Sequence, residues 1–137
     1  MFRKPLSYLL IAASLIVTAS MSIVAVAAVP AMAEDLANGA KVFRKCRACH
    51  DAGPMARNKV GPVLNGVYGR TAGTFPDFNY SKAMVEAGGK RLVWDEVTLN
   101  GYLEAPTTYL PKNKMAFTGI KDEGERADLI GYLKTLK

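Results

Sequence analysis

Cys46-Arg47-Ala48-Cys49-His50 is the stretch that decides how this chain folds. Its two cysteines are the only cysteines in the 137 residues, and His50 is the only histidine. The pattern C-x-x-C-H is typical of c-type haem attachment, in which each thiol adds to one vinyl group of the porphyrin. The histidine that follows supplies the proximal imidazole ligand to the iron. The sequence therefore predicts one haem, bound covalently through Cys46 and Cys49.

Three other uses of this motif are weaker on chemical grounds. A structural zinc site takes four cysteine or histidine ligands, and the whole chain offers three. A thioredoxin-type redox pair lies beside a strand–helix–strand unit, and the sequence shows no such run. A plain disulfide needs no adjacent histidine, and it stays open as an alternative in an oxidising compartment.

The first 33 residues have the layout of a secretory signal peptide. Arg3 and Lys4 precede an apolar run over residues 6–29, and Ala31-Met32-Ala33 is a small-x-small cleavage site. The apolar run approaches the roughly 20 residues that span a bilayer, so an uncleaved membrane anchor is the alternative. In either case the basic start stays inside and the rest of the chain is exported. In a Gram-negative bacterium the destination is the periplasm.

Residues 34–137 are expected to form one mildly basic domain. Without Arg3 and Lys4 the basic residues fall from 18 to 16, against 12 acidic ones, which leaves a net charge of +4 before any haem propionate is counted. No interleaving of aromatic and basic residues is present, so we expect no nucleic-acid binding. We expect a monomer that meets membranes only through its partners or through an uncleaved anchor.

The sequence after the signal predicts helices joined by long loops. Apolar spacing and breaker residues predict four helices, over residues 36–45, 81–87 (ended by Gly88-Gly89), 94–104 and from Asp122 onward. Asp122 and Glu125 have the spacing of a capping box, and the leucine stripe that follows should pack on the first helix. Residues 51–79 are rich in glycine and proline and are predicted as loop. A loop of that length is unusual in a compact domain unless a bound group organises it.

Position in the sequence leaves several candidates for the sixth ligand of the iron. With no second histidine, the candidates are Met55, Met84, Met115 and the lysines. Met55 is too close to His50 in sequence to reach the other haem face. Met84 lies in an apolar helical context that is typical of core packing. Met115 lies in a proline-anchored loop between two helices, a form that can hold a thioether against a flat surface.

Residues 36–136 resemble a class I cytochrome c of the bacterial cytochrome c2 and mitochondrial cytochrome c type. The matching blocks follow the family's order along the chain: Gly39 and Phe43, the Cys46–His50 motif, Val60–Gly66, Gly69-Arg70 through Phe78-Asn79-Tyr80, Trp94, Tyr102–Glu104, Pro106, Tyr109, Lys114-Met115-x-Phe117 and Arg126–Leu133. The resemblance implies a small all-α fold, with three main helices, short helices and long loops around one haem. It also implies that Met115 and His50 are the two axial ligands.

The resemblance assigns further roles around the haem. Pro62 would present its carbonyl oxygen to the ring N–H of His50 and so orient that ligand. Tyr102 would lie near the Met115 sulfur. The inner propionate, which is costly to bury alone, would be bonded or neutralised by three side chains, those of Arg70, Tyr80 and Trp94. Four apolar side chains would wall the pocket: Leu64, Leu99, Leu103 and Phe117.

The methionine loop departs from the family's usual Pro-Gly-Thr-Lys-Met. Here it reads Pro111-Lys112-Asn113-Lys114-Met115. Lys112 gives up the backbone freedom of glycine, which matters if the position needs a positive φ. Asn113 keeps a hydrogen-bonding side chain but changes its reach. Thr107-Thr108 stand where mitochondrial members carry lysines, and Asn58 stands where many members carry a histidine.

These features predict a single-electron carrier rather than an enzyme. With both axial positions filled, no site remains for oxygen or substrate, and thioether ligation with burial raises the haem potential. If Met115 did not bind, the open iron would give peroxidase-like or ligand-sensing behaviour, which is the alternative. The resemblance implies redox partners such as a cytochrome bc1-type reductase and a terminal oxidase or reaction centre, in respiration or photosynthesis. By the same resemblance, docking would use basic residues near the haem edge, and the alternative is that these are only solvated surface charges: Lys41, Lys45, Lys59, Lys112, Lys114 and Lys121.

Overall fold

The computed structural model describes residues 34–137, and the predicted signal peptide at 1–33 lies outside the described residues. Five helices follow in order: α1 (Leu36–Phe43), α2 (Lys82–Gly89), α3 (Glu96–Glu104), α4 (Pro106–Tyr109) and α5 (Glu123–Thr135). Over residues 34–137 the only β-type pairing is one isolated antiparallel bridge between Thr71 and Val93. The predicted all-α class is confirmed. None of the helices in this part of the chain is both long and apolar enough to cross a membrane.

The first and last helices cross at a glycine. A Cβ on Gly39 would run into the backbone carbonyl oxygen of Asp128 and would lie 2.8 Å from the Cβ of Tyr132. One turn later, the buried Phe43 ring packs against Tyr132 with 5.2 Å between the ring centroids. The predicted packing of the terminal helix on the first helix is therefore confirmed, and the absence of a side chain at Gly39 makes it possible.

The Asp128 carboxylate on α5 accepts two hydrogen bonds from residues at the start of α1. Its Oδ1 accepts from the Asp35 backbone N–H and its Oδ2 from Asn38 Nδ2, both at 2.7 Å. The bond from Asn38, and then the bond from Asp35, hold the pKa of the Asp128 carboxyl below its usual range. Asp35 in turn caps α1 by accepting from the Asn38 N–H at 2.9 Å.

The start of α5 forms half of the predicted capping box. Asp122 Oδ1 accepts from the Glu125 N–H at 2.8 Å. The Glu125 carboxylate does not complete the box, because it pairs with Lys45 Nζ at 2.6 Å. The start of α5 is thus tied to the residue just before the Cys46–His50 motif.

Arg126, in the first turn of α5, is a buried cation that holds the chain after the methionine loop. Its Nε donates to Asn100 Oδ1 at 2.7 Å, and its Nη1 donates to the carbonyl oxygens of Ile120 and Lys121 at 2.9 and 3.0 Å. None of the ion pairs in the described part of the chain involves Arg126. Its role is therefore to satisfy backbone carbonyls and to link α3 with α5.

The predicted end of α2 is wrong by two residues. The helix starts after Ser81, whose side chain accepts from the Met84 N–H, and it continues through Gly88 and Gly89. A Cβ at Gly88 would collide with the carbonyl oxygen of Ala72. This glycine therefore serves the close approach of the helix to a neighbouring loop, and it does not end the helix.

The predicted start of α3 is also wrong. Trp94 lies before the helix, because Asp95 and Thr98 form a complete capping box that starts it at Glu96. The short helix α4, which was not predicted, begins at Pro106, where a fixed φ favours the first helical position.

The loop over residues 51–79 contains no helix, as predicted. Its second half is tied to the chain before α3 by backbone hydrogen bonds. Gly69 N–H donates to the Trp94 oxygen at 2.8 Å, Trp94 N–H donates to the Arg70 oxygen at 2.9 Å, and Ala72 N–H donates to the Leu92 oxygen at 2.9 Å. These bonds place Arg70 and Trp94 next to each other.

Candidate functional site

A mostly apolar cavity of about 290 Å³ lies within the domain. All nine predicted site residues line it: Cys46, Cys49, His50, Pro62, Arg70, Tyr80, Trp94, Tyr102 and Met115. The four predicted wall residues line it too, namely Leu64, Leu99, Leu103 and Phe117. Residues that are far apart in sequence thus converge on one space.

His50 is held in a single orientation by the loop that follows it. Its Nδ1 lies 2.8 Å from the carbonyl oxygen of Pro62. Because a carbonyl can only accept, Nδ1 carries the proton and Nε2 keeps a lone pair for a metal. Gly61 lies against the ring, where a Cβ would collide with the imidazole, and its N–H donates to the Cys49 oxygen at 2.7 Å. Burial lowers the pKa of His50, and the bond to Pro62 partly offsets this. The neutral imidazole required of a metal ligand is therefore favoured.

The two cysteines lie on turns that continue α1. Cys46 N–H donates to the Phe43 oxygen at 2.9 Å, and the N–H groups of Cys49 and His50 donate to the Cys46 oxygen at 3.0 and 2.9 Å. These turns bring both thiols and the imidazole to the cavity. Both cysteines are free rather than joined in a disulfide. Burial raises the pKa of the Cys46 thiol to about 11, while the charge of Lys45 acts in the opposite direction.

Arg70 supplies positive charge to the cavity wall. Its Nη1 donates to the Asn65 oxygen at 2.8 Å and its Nη2 to the Val63 oxygen at 3.3 Å, while the guanidinium carbon lies 4.8 Å from the centroid of the Phe75 ring. Burial lowers the pKa of Arg70, and the Tyr80 hydroxyl partly offsets this. No carboxylate of residues 34–137 pairs with it. A partly buried cation without an acidic partner suits a bound anion such as a carboxylate.

Aromatic side chains form the neighbouring wall. The rings of Trp94 and Tyr102 are 4.9 Å apart between centroids, and both residues are buried. Burial raises the pKa of Tyr102 to about 12, so its hydroxyl stays protonated at neutral pH. The Tyr80 hydroxyl accepts from the Phe75 N–H at 3.3 Å. Together these contacts give the wall a large apolar surface with two hydroxyl groups.

Met115 is half-buried, and the Asn113 side chain organises its loop. Asn113 Oδ1 accepts from the Met115 N–H at 2.6 Å, and Nδ2 donates to the Pro106 and Leu110 oxygens at 2.9 and 2.7 Å. Lys112 adopts φ +64°, so the position does need the positive φ for which glycine is suited. Lys112 and Asn113 were already recognisable in the sequence as departures from the family pattern. The sequence did not show that the Asn113 side chain holds the loop.

The other two methionines within residues 34–137, Met55 and Met84, differ in placement. Met84 is buried in the core and also lines the cavity. Met55 is 81% exposed and lies outside the cavity. The structure therefore leaves Met84 and Met115 as the methionines that reach the cavity, and only Met115 comes from a loop.

The six lysines expected at the haem edge are not equivalent. Lys45 and Lys114 line the cavity. Four of the six have a partner: Lys45 with the Glu125 carboxylate (2.6 Å), Lys59 with the Asp51 carboxylate (3.9 Å), Lys114 with the Asn79 carbonyl (3.0 Å) and Lys121 with the Glu104 carbonyl (2.5 Å). Lys112 is exposed beside the methionine loop.

The residues present fit a c-type haem. The cavity combines free thiols, an oriented imidazole, a thioether, a guanidinium with no carboxylate partner in residues 34–137, and apolar walls. The thiols could bond to the vinyl groups and the imidazole could ligate the iron. The guanidinium could pair with a propionate. This donor set gives each part of the haem a matching group in the chain.

Comparisons with known proteins agree with this chemistry. A sequence model of the family described as "Cytochrome c" matches residues 36–137. Cytochrome c2 of Afifella marina is 49% identical over 100 residues, which cover 73% of this chain and 81% of that protein. Cytochrome c2 of Agrobacterium tumefaciens (strain II Chrys) is 52% identical over 99 residues, or 72% of this chain and 89% of that protein.

Solved structures give the same answer for the fold. Cytochrome c2 from Rhodospirillum centenum aligns with a TM-score of 0.71 at 41% identity, over 74% of this chain and 98% of that chain. Cytochrome cH from Methylobacterium extorquens aligns with a TM-score of 0.68 at 40% identity, over 74% and 98% respectively. The aligned portion thus spans nearly the whole of each structure.

Proposed function

This chain belongs to the cytochrome c family and is a haem c electron carrier, and on that premise we propose that His50 and Met115 are the axial ligands of a haem attached through Cys46 and Cys49. The observation that carries the proposal is the convergence of these four side chains on one apolar cavity, with the His50 ring fixed by the Pro62 carbonyl at 2.8 Å. Haem iron, when bound, accepts and releases one electron at a time.

The chain's own residues shape that chemistry in three ways. Pro62 and Gly61 hold the His50 ring in one orientation, in which its Nε2 would bind the haem iron without rearrangement. The Arg70 guanidinium would hold a haem propionate. The buried Trp94 and Tyr102 rings help to exclude water from the cavity, and a site with low polarity favours the less charged, reduced iron.

We further propose an exported carrier whose signal peptide, residues 1–33, is removed after Ala33. Its partners would be a cytochrome bc1-type reductase and a terminal oxidase or photosynthetic reaction centre, and its compartment the periplasm. The relatives named cytochrome c2 support this, as does the signal-like start of the sequence. N-terminal sequencing of the mature protein tests it: a chain that begins at Met1 would mean a membrane anchor.

Extraction and one substitution test the haem site. Acid–acetone treatment should leave the haem on the chain, whereas Cys46→Ser plus Cys49→Ser should release it. Met115→Ala should keep the haem attached but remove the weak absorption band at the red end of the oxidised spectrum that marks a thioether–iron bond. It should also lower the potential and open the iron to carbon monoxide.

Met84→Leu is the matched control for Met115→Ala, because Met84 lines the same cavity from a helix. This control should keep the red-end band and the potential close to those of the unmodified protein. If Met115→Ala kept the band and Met84→Leu removed it, Met84 would be the ligand and our assignment would be wrong.

A further inference from the structure

The loop that carries Met115 contains a backbone conformation that its sequence does not favour. Lys112 adopts φ +64°. The left-handed helical region is unfavourable for a residue with a Cβ, and only glycine visits it freely. Such a conformation persists only where the surroundings over-determine it. Some other contact must therefore hold this turn in place, three residues before the sulfur-bearing side chain.

The Asn113 side chain makes that contact, since it fixes the loop on both sides of the turn. Before the turn, its Nδ2 donates to the Pro106 and Leu110 oxygens at 2.9 and 2.7 Å. After the turn, its Oδ1 accepts from the Met115 N–H at 2.6 Å. One short side chain thus joins the end of α4, the turn and the backbone of Met115.

The same amide also faces the cavity wall. The Tyr102 hydroxyl lies 3.5 Å from Asn113 Oδ1, at the outer limit of a hydrogen bond. Tyr102 is buried, and burial keeps its hydroxyl protonated at neutral pH. The network around Asn113 is therefore half-buried, and its hydrogen bonds are shielded from competing water.

We propose that Asn113 is the positioning residue for Met115: it holds a strained turn closed and so sets how often the loop opens to expose the metal to outside ligands. The inference rests on the proposed function, because it takes Met115 as an axial ligand. It adds a residue that acts on the ligand through the backbone and does not itself line the cavity.

The test measures loop opening in the oxidised holoprotein by two independent readouts. The first is the rate of imidazole binding to the iron. The second is hydrogen exchange of the Met115 amide, whose acceptor is Asn113 Oδ1, and this readout does not depend on the haem chemistry. Asn113→Ala should raise both by roughly 10- to 100-fold, because each ordinary hydrogen bond that is lost changes an equilibrium by up to about tenfold.

Three further variants sharpen the result. Asn113→Ser keeps an oxygen acceptor near the Met115 N–H but is too short to reach both carbonyls, so its effect should be intermediate. Lys112→Gly should slow opening, since the relief of strain outweighs the added freedom of glycine. In the double variant with Asn113→Ala, Lys112→Gly should reverse part of the increase in loop opening that Asn113→Ala causes.

Asn65→Ala is the control. Asn65 is also part-buried, and it clamps a different loop through bonds to Gly53 at 2.8 and 3.0 Å. It should lower stability without changing imidazole binding or the Met115 amide. If Asn113→Ala and Asn113→Ser both behave like Asn65→Ala in the two readouts, the inference is overturned. If Met115→Ala itself leaves imidazole binding unchanged, the failure lies in the proposed function.

Discussion

The crossing of α1 and α5 can be tested with one methyl group, by changing Gly39 to Ala. The added Cβ would lie 2.7 Å from the Asp128 carbonyl carbon and 2.8 Å from the Tyr132 Cβ. Carbon atoms in ordinary contact are about 3.5–4.0 Å apart, so the shortfall is about 1 Å. The obstructing atoms are backbone and Cβ atoms, which cannot swing aside, and the helices themselves have to separate.

The size of the effect follows from two opposing terms. Forcing an extra group into a packed site costs roughly 1–3 kcal/mol, while alanine is favoured over glycine inside a helix by about 1 kcal/mol. Separation of the helices also loosens Phe43 against Tyr132 and strains the 2.7 Å bond from Asp35 to Asp128. We therefore expect the upper end of the range and a net loss of about 2 kcal/mol, or a Tm lower by roughly 10 °C.

The assay is thermal and urea unfolding of the holoprotein, compared with Gly89→Ala. Gly89 is also helical, but no atom lies within 4 Å of the position that its Cβ would take. The control should be neutral or more stable by up to about 1 kcal/mol. If Gly39→Ala and Gly89→Ala have the same Tm and the same free energy of unfolding, the close approach at Gly39 does not limit the packing of the two helices. The reasoning is then refuted.

Three other variants, one of them a double substitution, address separate features. Arg126→Leu should lower the free energy of unfolding by roughly 2–4 kcal/mol, because it removes the donor to the buried Ile120 oxygen and to the part-buried oxygens of Lys121 and Asn100; urea unfolding measures this. The depressed pKa of Asp128 stabilises the fold above its unfolded value of about 3.9, and this contribution is lost as pH falls through the lower folded value. Asp128→Asn should therefore flatten the acid side of the Tm–pH profile. Lys112→Glu with Lys114→Glu should slow electron transfer to a purified oxidase about 10-fold or more at low salt, with a smaller difference at high salt.

Each of these has a matched comparison. Arg126→Lys keeps a donor and should fall between the wild type and Arg126→Leu. An acid profile of Asp128→Asn parallel to that of the wild type would contradict the linkage argument. For docking, Lys82→Glu with Lys90→Glu makes the same charge change at residues that do not line the cavity. Equal slowing by both pairs would show that net charge, and not the face around Met115, governs docking.

The residues that line the cavity were easier to predict from the sequence than the helix ends. The five residues from Cys46 to His50 specify a chemistry by themselves, and the ordered blocks of a known family add the cavity wall. Helix ends depend on tertiary contacts. Gly88 looks like a helix terminator, yet it is helical, and its missing side chain makes room for the Ala72 carbonyl. Trp94 looks helical by spacing, yet the Asp95–Thr98 box starts α3 after it.

The role of Asn113 could not be predicted for a different reason. Its partners are Pro106, Leu110, Met115 and Tyr102, and three of these are close enough in sequence to suggest a local turn. The turn between these partners has a positive φ at Lys112, which glycine would favour and lysine does not. The sequence indicated an anomaly at this position, and only the folded loop shows what compensates for it.

The cavity also has a consequence for the order in which the protein is made. Its lining residues run from Lys45 to Leu133, so the walls exist only after the chain has come together. The two thiols, by contrast, belong to residues only three positions apart in the sequence. They are therefore close together before the chain folds. This space is lined mainly by apolar side chains, and full burial of one such side chain contributes about 1.5–3 kcal/mol, a large share of the roughly 5–15 kcal/mol by which a small domain is stable. We therefore expect the haem to be joined to Cys46 and Cys49 before the walls of the cavity close around it.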